Sequence, residues 1–313
     1  MKQLKLAHII LVASCCMLLF NSCNKKVFLF TSFKEPASAG LGLLYSADGY
    51  HWNRLDTILL KPKIGISAQK IMRDPSIIQG PDGLFHLVFT TEWKGGNGFG
   101  YAHSKDLIHW SEQQYIPVMQ SEKKVVNVWA PELFYDETKK QYIIVWASCI
   151  PNRFEKGIED ENNNHRLYYT TTKDFISFSD TKLFFDPKFS VIDATIVKRG
   201  NADYVLVLKD NTRPERNIKL AFAISAYGPY TNVSAPITNH FSEGPSAIKI
   251  KNDWLIFFDA YQEKKYGAIR TQDFHSFEKI DSLVSVPEGH KHGTVFTTQK
   301  KILNRLIKFS HEK

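Results

Sequence analysis

Three acidic residues stand where an apolar run is about to begin: Asp74 in "RDPSII", Asp193 in "VIDATIV" and Glu243 in "SEGPSAI". Taken singly, each reads as turn chemistry, because acids beside Pro or Gly favour tight turns. Taken together they read differently. If the three run-starts meet in space, three carboxylates converge, and like charges held close cost energy because each disfavours ionisation of the others. A set of turn caps has no reason to bear that cost, whereas a site that works through charged carboxyl groups does. Whether they meet depends on the elements that carry them.

Those elements repeat. A pattern of strand, Ser/Thr, Asp or Gly turn and aromatic recurs as "LLYSADGYHW", "GYAHSKDLIHW", "YYTTTKDFISF", "AFAISAYGPY" and "GAIRTQDFHSF". The closing aromatics Trp52, Trp110, Phe178, Tyr230 and Phe277 are 47 to 68 residues apart, a length that holds four strands and their turns, as in a propeller blade. A hairpin precedes four of the motifs: "PSIIQGPDGLFHLVF", "PELFYDETKKQYIIVW", "ATIVKRGNADYVLVL" and "PSAIKIKNDWLIFF". The fifth is split. "HGTVFTT" near the C-terminus supplies one strand, and "VFLFTSF", "GLGLLYS" and "HWNRLDTILL" near the N-terminus supply the others. The expectation is an all-β, five-bladed propeller closed by one shared blade, which removes the free sheet edges. The repeated aromatics are then wedges between blades, and "KKILNRLIKF" (300–309) has a helical period and packs outside the ring.

In a propeller the first strand of each blade lies nearest the axis, so Asp74, Asp193 and Glu243, read as one equivalent position, gather at one mouth. The links on that face are long: 91–98, 148–165, 209–217 and 259–265. Those on the other face, "QGPDG", "DETKKQ", "RGNAD" and "KND", are short and plain. Loops on one face of a rigid scaffold commonly carry binding. This makes Trp93, Arg213 and Tyr261 candidate rim contacts, with Trp129 of "VWAPELF" beside them.

Composition narrows the partners. The 313-residue chain has a net charge of +8, but its basic residues fall in scattered doublets such as Lys123-Lys124 and Lys264-Lys265. No basic run is interleaved with aromatics, so no nucleic-acid partner is expected. "MKQLK" and the apolar stretch 6–20 read as a signal peptide too short to span a bilayer. "NSCNKK" follows, resembling a bacterial lipoprotein cleavage site with lipid on Cys23. An alternative box at "LVASC" would leave an apolar run after the cut. Expected boundaries are 1–22 for the leader and 23–313 for one propeller domain, exported and lipid-anchored to a bacterial membrane, in the periplasm or at the cell surface. Cys149 is then the sole thiol of the domain without lipid, a small buried hydrophobe.

The run "RDPSI", "VWAPELFYD", "VIDATIV", "SEGPSA" and "HGTVF", in that order, resembles glycoside hydrolase family 43, five-bladed propeller enzymes acting on arabinosides, xylosides and related sugars. "NVWAPELFYDETKKQYIIVWAS" with "NHRLYYTTTKDF" further resembles members from gut Bacteroidetes that cleave arabinofuranosides or galactofuranosides. The resemblance implies that Asp74 is the general base, Glu243 the general acid, and Asp193 the neighbour that raises the acid's pKa and orients it. Inverting hydrolysis uses such a pair, one carboxylate activating water and the other protonating the departing oxygen.

His292 matches a family position that often helps hold a cation through water. A structural Ca2+ near the axis and a metal-free, hydrogen-bonded His are both open, and no cofactor is required. The implied protein is a monomeric, exo-acting hydrolase of terminal furanosyl residues whose partner is an oligo- or polysaccharide. It touches a membrane through its lipid alone. The alternatives are a β-xylosidase of the same fold, or a glycan-binding propeller lipoprotein without turnover.

Overall fold

The computed structural model describes residues 25–312; the leader and Cys23 lie outside the described residues. Long apolar runs such as "YIIVW", "YVLVL" and "WLIFF" become strands buried on both faces, because each sheet is sandwiched between two others. Five sheets result.

The closing blade pairs β19 (Val295–Gln299) with β1 (Lys26–Ser32), then β2 (Gly42–Ser46) and β3 (Asn53–Arg54). The next holds β4 (Arg73–Gln79), β5 (Phe85–Thr90), β6 (Phe99–Ser104) and β7 (Gln114–Ile116). It is followed by β8 (Trp129–Asp136), β9 (Gln141–Cys149), β10 (His165–Thr172) and β11 (Lys182–Phe185). The fourth contains β12 (Val191–Gly200), β13 (Asp203–Asp210) and β14 (Asn217–Ala223). The last complete sheet holds β15 (Ser242–Ile250), β16 (Asp253–Ala260), β17 (Lys265–Thr271) and β18 (Glu278–Lys279). Every strand pair is antiparallel, and β1 carries β19 on one side and β2 on the other, so the split blade closes the ring as the sequence predicts.

One blade departs from four strands. Outside β14 the segment 231–237 runs extended and touches the edge through Thr231, Ser234 and Ile237 only. Pro229 precedes it and Pro236 lies within it, and a proline has no N–H to offer a ladder.

The described residues form five buried apolar clusters, each drawing on two neighbouring blades. The repeated aromatics sit in them. Trp52 packs edge-on to Phe30 of its own blade and to Phe257 of the next, at 5.4 and 5.7 Å. Tyr230 lies against Phe184 and Phe185 of the preceding blade. Each fully buried ring of this kind contributes about 2–3 kcal/mol.

The acids of the repeat have a separate task. Ser46, Ser104, Thr172 and Thr271 accept from the backbone of the following turn. Asp48, Asp106, Asp174 and Asp273 each accept two further backbone N–H groups. These carboxylates hold turns, which separates them from the three at the strand starts. Helix α1 (Lys300–His311) buries Ile302, Leu303 and Leu306 in the cluster between the closing blade and its neighbour.

Candidate active site

The first strands of the four unsplit blades begin with one backbone device. Arg73, Trp129, Ile192 and Glu243 pair across to Thr90, Ala147, Lys209 and Asp259, and regular pairing resumes only three residues later, beyond a β-bulge. The residue after each is left-handed: Asp74 (φ 50°), Ala130 (φ 46°), Asp193 (φ 50°) and Gly244 (φ 57°). A bulge re-aims side chains, and a non-glycine residue keeps such a backbone only where its surroundings impose it.

Asp74 and Asp193 are therefore equivalent, but Glu243 stands one residue earlier, on the register of Arg73, Trp129 and Ile192. This corrects the reading of all three acids as one position. The cause is local: a Cβ at Gly244 would approach the His292 ring to 2.5 Å, so glycine takes the left-handed place and the acid moves one step back.

The three acids do converge. Asp74 Oδ1 lies 3.3 Å from Nδ1 of His292, and Asp193 Oδ1 lies 4.0 Å from the same nitrogen. Asp74 Oδ2 accepts the Thr90 hydroxyl at 2.9 Å, and Asp193 Oδ2 accepts the Gly244 N–H at 3.1 Å. Glu243 Oε2 is 2.8 Å from Lys209 Nζ. Behind it, Lys291 Nζ reaches Asp259 at 3.1 Å.

Charge is distributed unevenly over this set. Burial pushes the Asp74 carboxyl up, but the bond and charge of His292, then Arg73 and Thr90, outweigh it and hold the pKa below the usual range. Burial works against a charged His292, yet Asp193, Asp74 and Glu132 raise its pKa to about 9, making it an imidazolium at neutral pH. Asp193 goes up, through burial first, with Glu243 and Asp74 adding to it against His292 and Lys209.

Glu243 goes the other way. Burial raises it, but Lys209, with Lys291 and His292, draws it below the usual range. The expectation that Asp193 lifts Glu243 therefore meets a counter-charge that the sequence reading did not include. Asp259, opposite Glu243, is pushed up to about 6 by burial, against the pull of Lys291.

The cation expectation at His292 gains no support from this donor set. Nδ1 faces two carboxylates whose charge its own proton balances, and no group of three His, Cys, Asp or Glu among the described residues is arranged to hold a metal.

Below the mouth the blades are tied to one another around the axis. Leu133 N–H donates to Ser76, Thr195 to Glu132 and Val295 N–H to Ser246, while the Thr31 hydroxyl donates to the Pro75 carbonyl. Glu132, half-buried there, has its pKa raised by desolvation.

Of the rim residues, Trp93 and Trp129 come together, ring centroids 4.7 Å apart, with Trp129 Nε1 donating to the Trp93 carbonyl. His165 continues the stack at 4.9 Å, and the Arg73 guanidinium covers the outer Trp93 face at 4.7 Å. His165 is neutral, because burial lowers its pKa to about 4. Its Nδ1 is satisfied by the Asn163 carbonyl, so Nε2 is a free acceptor without a partner.

Tyr261 lies beside the Lys209 ammonium, 5.1 Å from ring centroid to Nζ. Arg213 is occupied: its backbone N–H and guanidinium meet Glu159 and its guanidinium approaches Asp160, pinning loop 148–165 to loop 209–217. Lys209, Asp259, Thr90 and His165 were not singled out from sequence. The signal for the first three was a polar residue closing an otherwise apolar second strand, "VLVLK", "LIFFD" and "HLVFT".

A family of glycosyl hydrolase 43-related sequences, described as "Probable glycosyl hydrolase domain", matches residues 25–303. The chain belongs to this glycosyl hydrolase family. Among solved structures, a thermostable family-43 glycoside hydrolase is similar at 13% identity and a TM-score of 0.56, covering 76% of this chain and 86% of that one. An alpha-L-arabinofuranosidase from Lactobacillus brevis is similar at 17% identity and a TM-score of 0.51, over 66% of this chain and 72% of its own. An exo-beta-1,3-galactanase from Phanerochaete chrysosporium is similar at 14% and 0.53, over 66% of this chain and 49% of its own. At such identities the likeness is one of fold. No curated protein matches the chain.

Proposed function

We propose that the protein is an inverting glycoside hydrolase that removes terminal furanosyl residues, α-L-arabinofuranosyl or β-D-galactofuranosyl, from a plant or microbial glycan. The observation that carries this reading is the division of charge at the mouth. Asp74 is held ionised by the His292 imidazolium, while burial and the neighbouring Glu243 and Asp74 push Asp193 up and Lys209 draws Glu243 down. Environments that push neighbouring carboxyls apart in pKa sort a base from an acid.

In this reading Asp74 takes a proton from a water whose oxygen attacks the anomeric carbon. As that bond forms the glycosidic bond breaks, and the leaving oxygen takes a proton from Glu243. In the free protein the proton resides on Asp193, the carboxyl pushed up, and Glu243 takes one up against the pull of Lys209 as the sugar binds. Asp193, through the Gly244 N–H, sets the backbone that aims Glu243.

Terminal action is supported by the tie between loops 148–165 and 209–217 through Glu159 and Arg213, which closes one side of the mouth. With its two faces taken by Trp129 and Arg73, the half-exposed Trp93 ring offers its edge as the contact for a sugar. The arabinofuranosidase among the similar folds agrees with a furanosyl substrate. We further place the enzyme on a bacterial membrane through lipid on Cys23, which labelled-palmitate incorporation, lost in Cys23→Ala, would check.

The deciding experiment is hydrolysis of nitrophenyl α-L-arabinofuranoside, β-D-galactofuranoside, β-D-xylopyranoside and α-L-arabinopyranoside. A furanoside preference abolished by Asp74→Asn supports the reading. A xyloside preference replaces the sugar and keeps the mechanism. Glycan binding with no turnover on any substrate overturns it.

A further inference from the structure

Beside the mouth, in the closing blade, lies a second cavity of about 380 Å³ that the chemistry above does not use. His290 is part of its lining. The Nδ1 of this residue is 2.6 Å from the Ser32 hydroxyl, and both side chains are buried. Ser32 Oγ has no other hydrogen-bond partner among the described residues, so its proton goes to Nδ1 and the ring carries its own proton on Nε2.

That Nε2–H is enclosed and has no acceptor. Leaving a buried donor unpaired is costly. Gly42 faces the ring edge: a Cβ there would lie 3.8 Å from Cε1, next to Nε2.

The rest of the lining is positive and apolar. Lys34 contributes an ammonium that makes no ion pair among the described residues. Arg54 contributes a guanidinium, bound at 2.6 Å to Asp56, the acid of this wall. Phe33 and Leu55 are apolar walls. Phe33 also ties the cavity to the mouth, because its ring carries the guanidinium of Arg73, the residue before Asp74, at 4.7 Å. Lys291, one residue from His290 and from His292, pairs with Phe33 through the backbone.

We propose that this cavity is a subsite for the carboxylate of an acidic sugar, a uronic acid borne by the same glycan whose neighbouring residue occupies the mouth. The assignment rests on the hydrolase reading above. A carboxylate answers both unmet needs, accepting from His290 Nε2 and balancing Lys34, as charge-assisted bonds do. The sugar ring supplies C–H surface for Phe33 and Leu55, which a bare inorganic anion lacks.

The test is a ligand-observed NMR titration of the intact protein with D-glucuronate, D-glucose and inorganic phosphate. Glucuronate binding should exceed glucose binding at least tenfold, and Lys34→Gln should remove that advantage. Gly42→Val, which crowds Ser32 and the ring edge, should abolish binding. If it does not fold, Lys34→Gln carries the test, since that side chain is partly exposed. Equal affinity for glucose and glucuronate, or a response to phosphate as strong as to glucuronate, overturns the assignment. Binding is read without turnover, so a failure to hydrolyse any glycoside counts against the catalytic reading alone.

Discussion

The ammonium of Lys209 lies 2.8 Å from the Glu243 carboxylate at the end of β13, with the lysine side chain only 4% exposed. A cation so placed opposes the protonation that a general acid needs. Lys209→Met keeps the volume and removes the charge. The Glu243 pKa should then rise, and the alkaline limb of the kcat/KM profile should move to higher pH. Melting should fall by an amount corresponding to about 1–3 kcal/mol, the ordinary span of a destabilising substitution, since Glu243 is partly exposed. If stability falls and the limb stays where it was, Lys209 is a structural residue and Glu243 is not the acid.

Asp74→Asn and Glu243→Gln separate the two proton transfers. Each should lower kcat by about 10²–10⁴, the span typical of a lost acid or base. Glu243→Gln should be the milder on a nitrophenyl substrate, whose leaving group needs little protonation, and the more severe on a natural glycan. Equal losses on both substrates would argue that Glu243 does not protonate the leaving group. Circular dichroism of both variants should match the parent, since neither side chain packs in an interblade cluster.

Much of this was legible before any coordinates. The blade count and the split blade follow from hairpins and turn motifs that recur whole, because each blade must bury both faces and so repeats the same apolar run. The one-residue offset of Glu243 was also present. Pro75, Pro131 and Pro245 align only if Glu243 is set against Arg73 and Trp129. What the residue pattern could not convey was charge balance. Lys209 and Asp259 are distant in sequence from the acids they face, and only strand register brings Lys209 opposite Ile192 and Asp259 opposite Glu243. Similarly, Arg213 reads as a free rim contact in a loop until its bonds to Glu159 appear.

The His292–Asp74 contact has a consequence for stability against pH. His292 has its pKa raised from 6.5 to about 9 in the folded protein. A raised folded pKa means that the stabilisation is fully present below about pH 6.5 and is lost as pH climbs through about 9. The shift corresponds to about 3 kcal/mol at most, counted once for the imidazolium and its carboxylates together. Melting temperature should thus decline between pH 7 and 10 in the parent, and a His292→Gln variant, less stable at pH 7, should decline less. Parallel declines would place the titrating group elsewhere.

Trp93 gives the clearest separation of binding from chemistry. It is 52% exposed, so truncation leaves no cavity, yet it forms the outer face of the Trp129–His165 stack and carries the Arg73 guanidinium. A sugar against the exposed edge of this ring would lose that contact in Trp93→Ala, and Arg73, freed from the ring, would keep its ion pair with Glu35. Aromatic contacts of this kind are worth about 0.5–1.5 kcal/mol beyond area. The expected result is a KM raised about three- to tenfold with kcat within a factor of two, because Asp74, Glu243 and Asp193 keep their partners. A fall in kcat with KM unchanged would mean that the stack acts through Arg73 on Asp74, and that the sugar lies on another face of the mouth.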